Sequence, residues 1–417
     1  MRQIIVLMWL NRRPHPNVRR CRTLGYRMNR PRPPHVRLAL FSYGFRPLFL
    51  LAGVFAVLSI GLWLPEYNGE IDIPTTFPPV AWHAHEMLYG YLSAAMSGFL
   101  LTAIPNWTGR LPFKGWPLAL LVGLWLAGRI AIATSAHIGW ILTMLVDCSF
   151  LLAFVVVTSR EVLAGRNFKN LKVVALVSIL LIGNLTFHLE THWTGNADYG
   201  MRIGIAGMVV LVLVIGGRII PSFTRNWLAR QPGGRMPVAF NRFDVVAIGI
   251  SVLALLGWVV SPVAPTTSIL LAAAGLVQLA RLARWAGDRT WRDRLVLVLH
   301  VAYLFVPVGF LLMAASDKFE IPPSAGIHAW TIGAMATLTL AVMTRATLGH
   351  TGRLLSANRA TQFIYGSIVV AALLRIGAAL DVAQSNLLLY LSALAWLLAF
   401  AVFAMAYGPM LLQRKVV

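Results

Sequence analysis

Residues 85–104 read HEMLYGYLSAAMSGFLLTAI, and this stretch decides the fold. A helix of roughly 20 mainly apolar residues is long enough to cross the hydrocarbon core of a bilayer. Polar groups bracket it, with Trp82-His83-Ala84-His85-Glu86 at its start and Pro105-Asn106-Trp107-Thr108-Gly109-Arg110 after its end. Working outward, comparable stretches occur at 44–64, 116–134, 138–158, 171–189 and 201–220. They continue at 240–260, 266–286, 295–315, 327–344, 362–381 and 386–408, which makes twelve spans. The composition agrees. Apolar residues are 58% of the 417, and charged residues, at 12%, are about half the usual share for a soluble protein. That excludes a soluble enzyme, a disordered chain and a fibrous repeat. The expected fold class is all-α: a polytopic transmembrane helical bundle of about 12 spans.

The loops test this count. The loop after the first span carries Glu66, Glu70 and Asp72 and no base. Loops after even-numbered spans carry bases, such as Arg110 and Lys114, then Arg160 and Arg166, then Arg353 and Arg359. Basic loops face the cytoplasm, so both termini are expected there. The same rule accounts for the net charge of +22 without nucleic acid. Residues 1–40 hold ten Arg, five Pro and no acid. They read as a basic, disordered cytoplasmic tail against anionic lipid, and residues 41–417 as the membrane domain. The apolar run Ile4–Leu10 is too short, and too closely followed by bases, for a signal peptide.

A faint repeat runs through every fourth span. His85 precedes Gly90, Tyr199 precedes Gly204 and His328 precedes Gly333, each by five residues. This suggests three four-helix units, although glycine also recurs in membrane helices for packing alone.

Ionisable groups inside a bilayer are costly and usually have a task. His83, His85 and Glu86 lie at the outer end of span 2, His188 at the outer end of span 5, and His328 at the start of span 10. In a regular helix His83 and His85 point about 200° apart, so they either serve different centres or one turns inward at the helix start. An interfacial Trp/His belt is the rival reading. Bundles hold haem between histidines of different helices, and His85 with His328 occupy equivalent places in the repeat. They are the expected haem pair, leaving His83 and His188 for copper, which suits imidazole. Glu86, one turn after His83, is placed to orient that imidazole from behind the ligands. His300 and Tyr303 share a helix face and could form a second site with His350, a proton path, or only a packed polar pair inside the bundle. Arg129, Arg218, Arg345 and Arg375 lie within or at the ends of spans, as partners for a haem propionate or another anion or as snorkelling side chains. Two cysteines exclude a Cys-rich metal site. No Cys-x-x-Cys-His sequence is present, so any haem is non-covalent.

Several segments together resemble the NnrS family of bacterial inner-membrane proteins. They are Phe45-Arg46-Pro47-Leu48-Phe49, Trp82-His83-Ala84-His85-Glu86-Met87, and Gly98-Phe99-Leu100-Leu101-Thr102-Ala103-Ile104-Pro105-Asn106-Trp107-Thr108-Gly109. Further on come Gly216-Gly217-Arg218-Ile219-Ile220-Pro221-Ser222-Phe223-Thr224-Arg225-Asn226, Leu299-His300-Val301-Ala302-Tyr303, and Met343-Thr344-Arg345-Ala346-Thr347-Leu348-Gly349-His350-Thr351-Gly352-Arg353. The resemblance implies a twelve-span protein containing haem and copper, tied to nitric oxide metabolism and tolerance of nitrosative stress. Its ligand would be nitric oxide or a nitrosyl-metal species. It assigns no ligands and no electron donor. The other readings are a secondary transporter of a metal or metal complex, and a haem sensor without turnover.

Overall fold

The structure is a computed structural model and describes residues 39–414. The expected tail lies, up to residue 38, outside the described residues. Among the described residues there are helices and no strands. Among the described residues, twelve helices are long and apolar enough to span a membrane. They are α1 (Phe45–Tyr67), α2 (Pro79–Thr108), α3 (Trp116–Ala133), α4 (Trp140–Ala164), α5 (Phe168–Thr194) and α6 (Asp198–Leu228). The second half is α7 (Arg242–Val260), α8 (Pro265–Ala283), α9 (Arg294–Ala315), α10 (Pro323–His350), α11 (Arg359–Leu380) and α12 (Ser385–Leu412).

Local chemistry sets the helix ends. Pro79, Pro117, Pro265 and Pro323 stand in the first turns of α2, α3, α8 and α10, where the missing N–H costs nothing and φ is already helical. Asn241 caps α7, accepting from Phe243 N at 3.0 Å, while Asp244 accepts from the Asn241 backbone at 3.0 Å. Asp293 and Asn358 cap α9 and α11. Such caps satisfy backbone donors that a helix start leaves free.

The helices form a closed ring of neighbours, with α12 packed back on α1. Three of them, α2, α6 and α10, line the middle and touch one another. With α9 they are the most buried spans. This divides the bundle into three arcs of four: α2 to α5, α6 to α9, and α10 to α12 closed by α1. The spacing of His85, Tyr199 and His328 therefore marks the three central helices. Their glycines sit at close approaches. A methyl on Gly204 would meet Leu88 and Tyr89, and one on Gly333 would meet Phe305.

Helices α2 and α10 share a further device. Each winds as an α-helix from its proline to a histidine, then widens to π geometry over Glu86–Leu92 and Ala329–Ala336. Such wide turns are rare and concentrate at functional sites. Two expectations on boundaries change. Helix α2 begins at Pro79, so His83 and His85 both stand in established helical turns and neither can swing inward at a loose start. Helix α10 runs on to His350, so that residue ends a helix instead of lying in the following loop.

Candidate metal centre and adjoining cavity

The first arc encloses a buried charged cluster. Helix α2 supplies His85 and Glu86, α3 Arg129, α4 Asp147, and α5 Asn184 and His188. Asp147 is the hub. Its Oδ2 lies 3.2 Å from His85 Nε2 and 3.1 Å from His188 Nε2, and accepts from Asn184 Nδ2 at 2.7 Å. Arg129 donates to Asp147 Oδ1 and to Glu86 Oε1. Glu86 in turn lies 2.9 Å from His85 Nδ1. His85, Glu86, Asp147 and His188 are all buried. Two carboxylates face one guanidinium, and both ring nitrogens of His85 face acceptors: Glu86 Oε1 on one side, and Asp147 Oδ2 and Asn184 Oδ1, the latter at 2.9 Å, on the other. Gly128 makes room for this: a methyl there would meet the Asp147 carboxylate at 2.9 Å. Phe77 and Phe187 close over the imidazoles, with ring centres 5.3 and 5.1 Å from His85.

His85, Asp147 and His188 are the one group of three or more potential ligands that converges among the described residues. Its dimensions suit a small ion. Ligands about 2.0–2.1 Å from a tetrahedral metal are roughly 3.3 Å apart, close to the observed 3.1 and 3.2 Å. Glu86, on the far side of His85, stands where a carboxylate would fix that imidazole if it held a metal.

A cavity of about 320 Å³ lies on the opposite face of α2, walled by α1, α2, α6, α10, α11 and α12. That volume falls within the range of small-molecule pockets, roughly 300–1,000 Å³. His83, His328 and Arg375 line it, among apolar and aromatic walls. His83 stacks on Trp63 at 4.2 Å, and its Nδ1 is buried without a partner. His328 Nδ1 lies 2.7 Å from the Ser324 carbonyl. A carbonyl only accepts, so Nδ1 carries the proton and Nε2 keeps the lone pair in the neutral ring.

Residues 39–415 match the family model described as NnrS protein. The chain belongs to the NnrS family. The match includes every residue of the cluster and the cavity. No curated protein matches the chain.

In this NnrS-family chain the histidines pair differently from the expectation. His85 does not share a chamber with His328. It faces His188 at 5.2 Å between ring centres, while His83 and His328 share the cavity. The reason is the helical repeat itself: residues two apart leave opposite faces of α2, and α2 separates the two chambers. Glu86 serves the neighbouring ring of His85 and not His83, with its Oε1 2.9 Å from His85 Nδ1.

The expected second site is not assembled. His300 Nε2 pairs with Thr224 Oγ1 at 2.8 Å. Tyr303 donates to Gln278 Oε1 at 2.8 Å and accepts from Arg281 Nη1 at 2.9 Å. His350 packs 5.4 Å from the ring of Phe45 and 6.3 Å from that of Tyr43. One helix face carries His300 and Tyr303, but the packing partners of each differ.

Sequence reasoning missed Asn184 and the joining of Arg129 to Glu86 and Asp147. One signal was present: Asn184 and His188 are four apart on α5 and so share a face. It also missed the second buried ion pair, Arg281 Nε to Asp244 Oδ1 at 2.9 Å.

Proposed function

We propose that this membrane protein contains haem and copper and binds or processes nitric oxide or its metal adducts. The observation that carries the reading is the sorting of four imidazoles into two chambers, each with two. His85, His188 and Asp147 would hold copper, a cation matched by the Asp147 carboxylate among them. His83 and His328 would hold haem in the cavity. The unpartnered Nδ1 of His83 and the fixed tautomer of His328 support this. Haem iron and copper both coordinate nitric oxide, which is small and apolar enough to arrive from the bilayer. The protein's own part is to keep the imidazoles in place and water out. The resemblance to the NnrS family supplies the link to nitric oxide. The basic loops support a cytoplasmic position for both termini.

The test is direct. The detergent-solubilised protein is assayed for copper and haem, and reduced absorbance spectra are recorded with and without nitric oxide. A Soret band that shifts with nitric oxide, with copper present, is the expected result. A folded, colourless and metal-free preparation that takes up no haem overturns the reading. Proteoliposome uptake or efflux of a metal complex by such a preparation would establish a transporter instead.

A further inference from the structure

Each arc of the bundle contains an arginine inside a membrane span: Arg129 on α3, Arg281 on α8 and Arg375 on α11. A guanidinium cannot shed its charge, so in such a place it pairs with an anion or with backbone carbonyls, as Arg46 of α1 does with the carbonyls of Met410 and Leu411. Two of the three have an anion from their own arc. Arg129 bridges Glu86 and Asp147. Arg281 pairs with Asp244, and also donates to the Leu213 carbonyl at 3.0 Å and to Tyr303. The third arc breaks the pattern. Arg375, partly buried, makes no ion pair and no hydrogen bond among the described residues. Helix α12 contributes Leu389, Ser392, Ala393 and Trp396 to the wall beside it, and no carboxylate lines the cavity.

We infer that Arg375 pairs with a carboxylate-type group of the molecule that fills this cavity. The ligand is then amphipathic, with an apolar body among the aromatic walls and an acidic edge toward α11. Guanidinium and carboxylate match in a planar, two-bonded geometry. This rests on the reading of the cavity as a haem chamber, where the acidic edge is a haem propionate. A small free oxyanion such as nitrite has the same chemistry, and the experiment separates the two.

Protein stripped of haem is titrated with protohaem and with its dimethyl ester, whose propionates carry no charge, in wild type, Arg375→Gln and Arg375→Lys. Wild type is expected to bind protohaem about ten- to hundredfold more tightly than the ester. Arg375→Gln loses that preference while still binding the ester, which shows that it is folded. Arg375→Lys keeps part of it. Equal binding of the two haems by wild type, or a preference that survives in Arg375→Gln, overturns the inference and leaves the haem chamber standing. If wild type binds neither, the haem reading fails, and nitrite is titrated against the fluorescence of Trp63 and Trp396. Saturable quenching lost in Arg375→Gln then assigns the free anion, and no quenching in wild type overturns the role of Arg375.

Discussion

Asp147 shows what the buried cluster demands of single residues. Its carboxylate meets two imidazoles, an amide and a guanidinium, and it is buried. Removing one partner of such a pair leaves a buried charge and costs about 3–5 kcal/mol, whereas removing both with apolar residues costs far less. Arg129→Leu should therefore destabilise the protein strongly, and Arg129→Leu combined with Asp147→Leu by less than the sum of the single changes. Thermal unfolding in detergent measures this, and simple additivity would contradict the network. Residue identities were legible at this scale, while the pairings were not. The sequence shows that His83 and His85 leave opposite faces of one helix. Which face meets α5 and which meets α10 depends on packing that no local spacing encodes. Glu86 misled for the same reason, since its carboxylate turns to His85 and to Arg129 on the neighbouring helix.

At the scale of the element, glycines decide how close the central helices come. A methyl at Gly90 would press on Arg129 Nη1 and Phe55, both at 2.8 Å, within the wide turn of α2. Gly90→Ala should push the guanidinium off the cluster and cost about 1–3 kcal/mol. Competition with a copper chelator should show weaker metal retention by about tenfold, of the order seen when a ligand's supporting residue is changed. Gly123 in α3 faces open space, with nothing within 4 Å of where a methyl would stand. Gly123→Ala should leave metal binding unchanged and stabilise by up to about 1 kcal/mol through helix propensity. Equal effects of the two changes would mean that close packing at Gly90 does not set the position of Arg129. The helices themselves were readable from hydropathy. Their ends were not, because α2, α6 and α10 extend past the apolar run into polar turns that still hold helical geometry.

Across the whole molecule, twelve helices divide into three arcs, and each arc holds a polar site of its own character. A repeat of histidine or tyrosine before glycine hinted at the arcs because it falls on the three central helices. The sites differ because their charged groups do: two carboxylates around one guanidinium and two imidazoles, a closed ion pair between Arg281 and Asp244, and a guanidinium at a cavity. The alternation of basic and acidic loops predicts orientation. Alkaline phosphatase fused after residue 68 should be active, and fused after residue 414 inactive; the reverse pattern would contradict cytoplasmic termini.

If His85 and His188 serve one centre and His83 and His328 another, the two cofactors should be separable by single substitutions. Copper and haem contents of His85→Ala, His188→Ala and His328→Ala, purified side by side, decide this. His85→Ala and His188→Ala are expected to lose copper and keep the Soret band, and His328→Ala to keep copper and lose or alter that band. Loss of the Soret band in both His85→Ala and His328→Ala, with copper kept, would show instead that these two histidines share one haem.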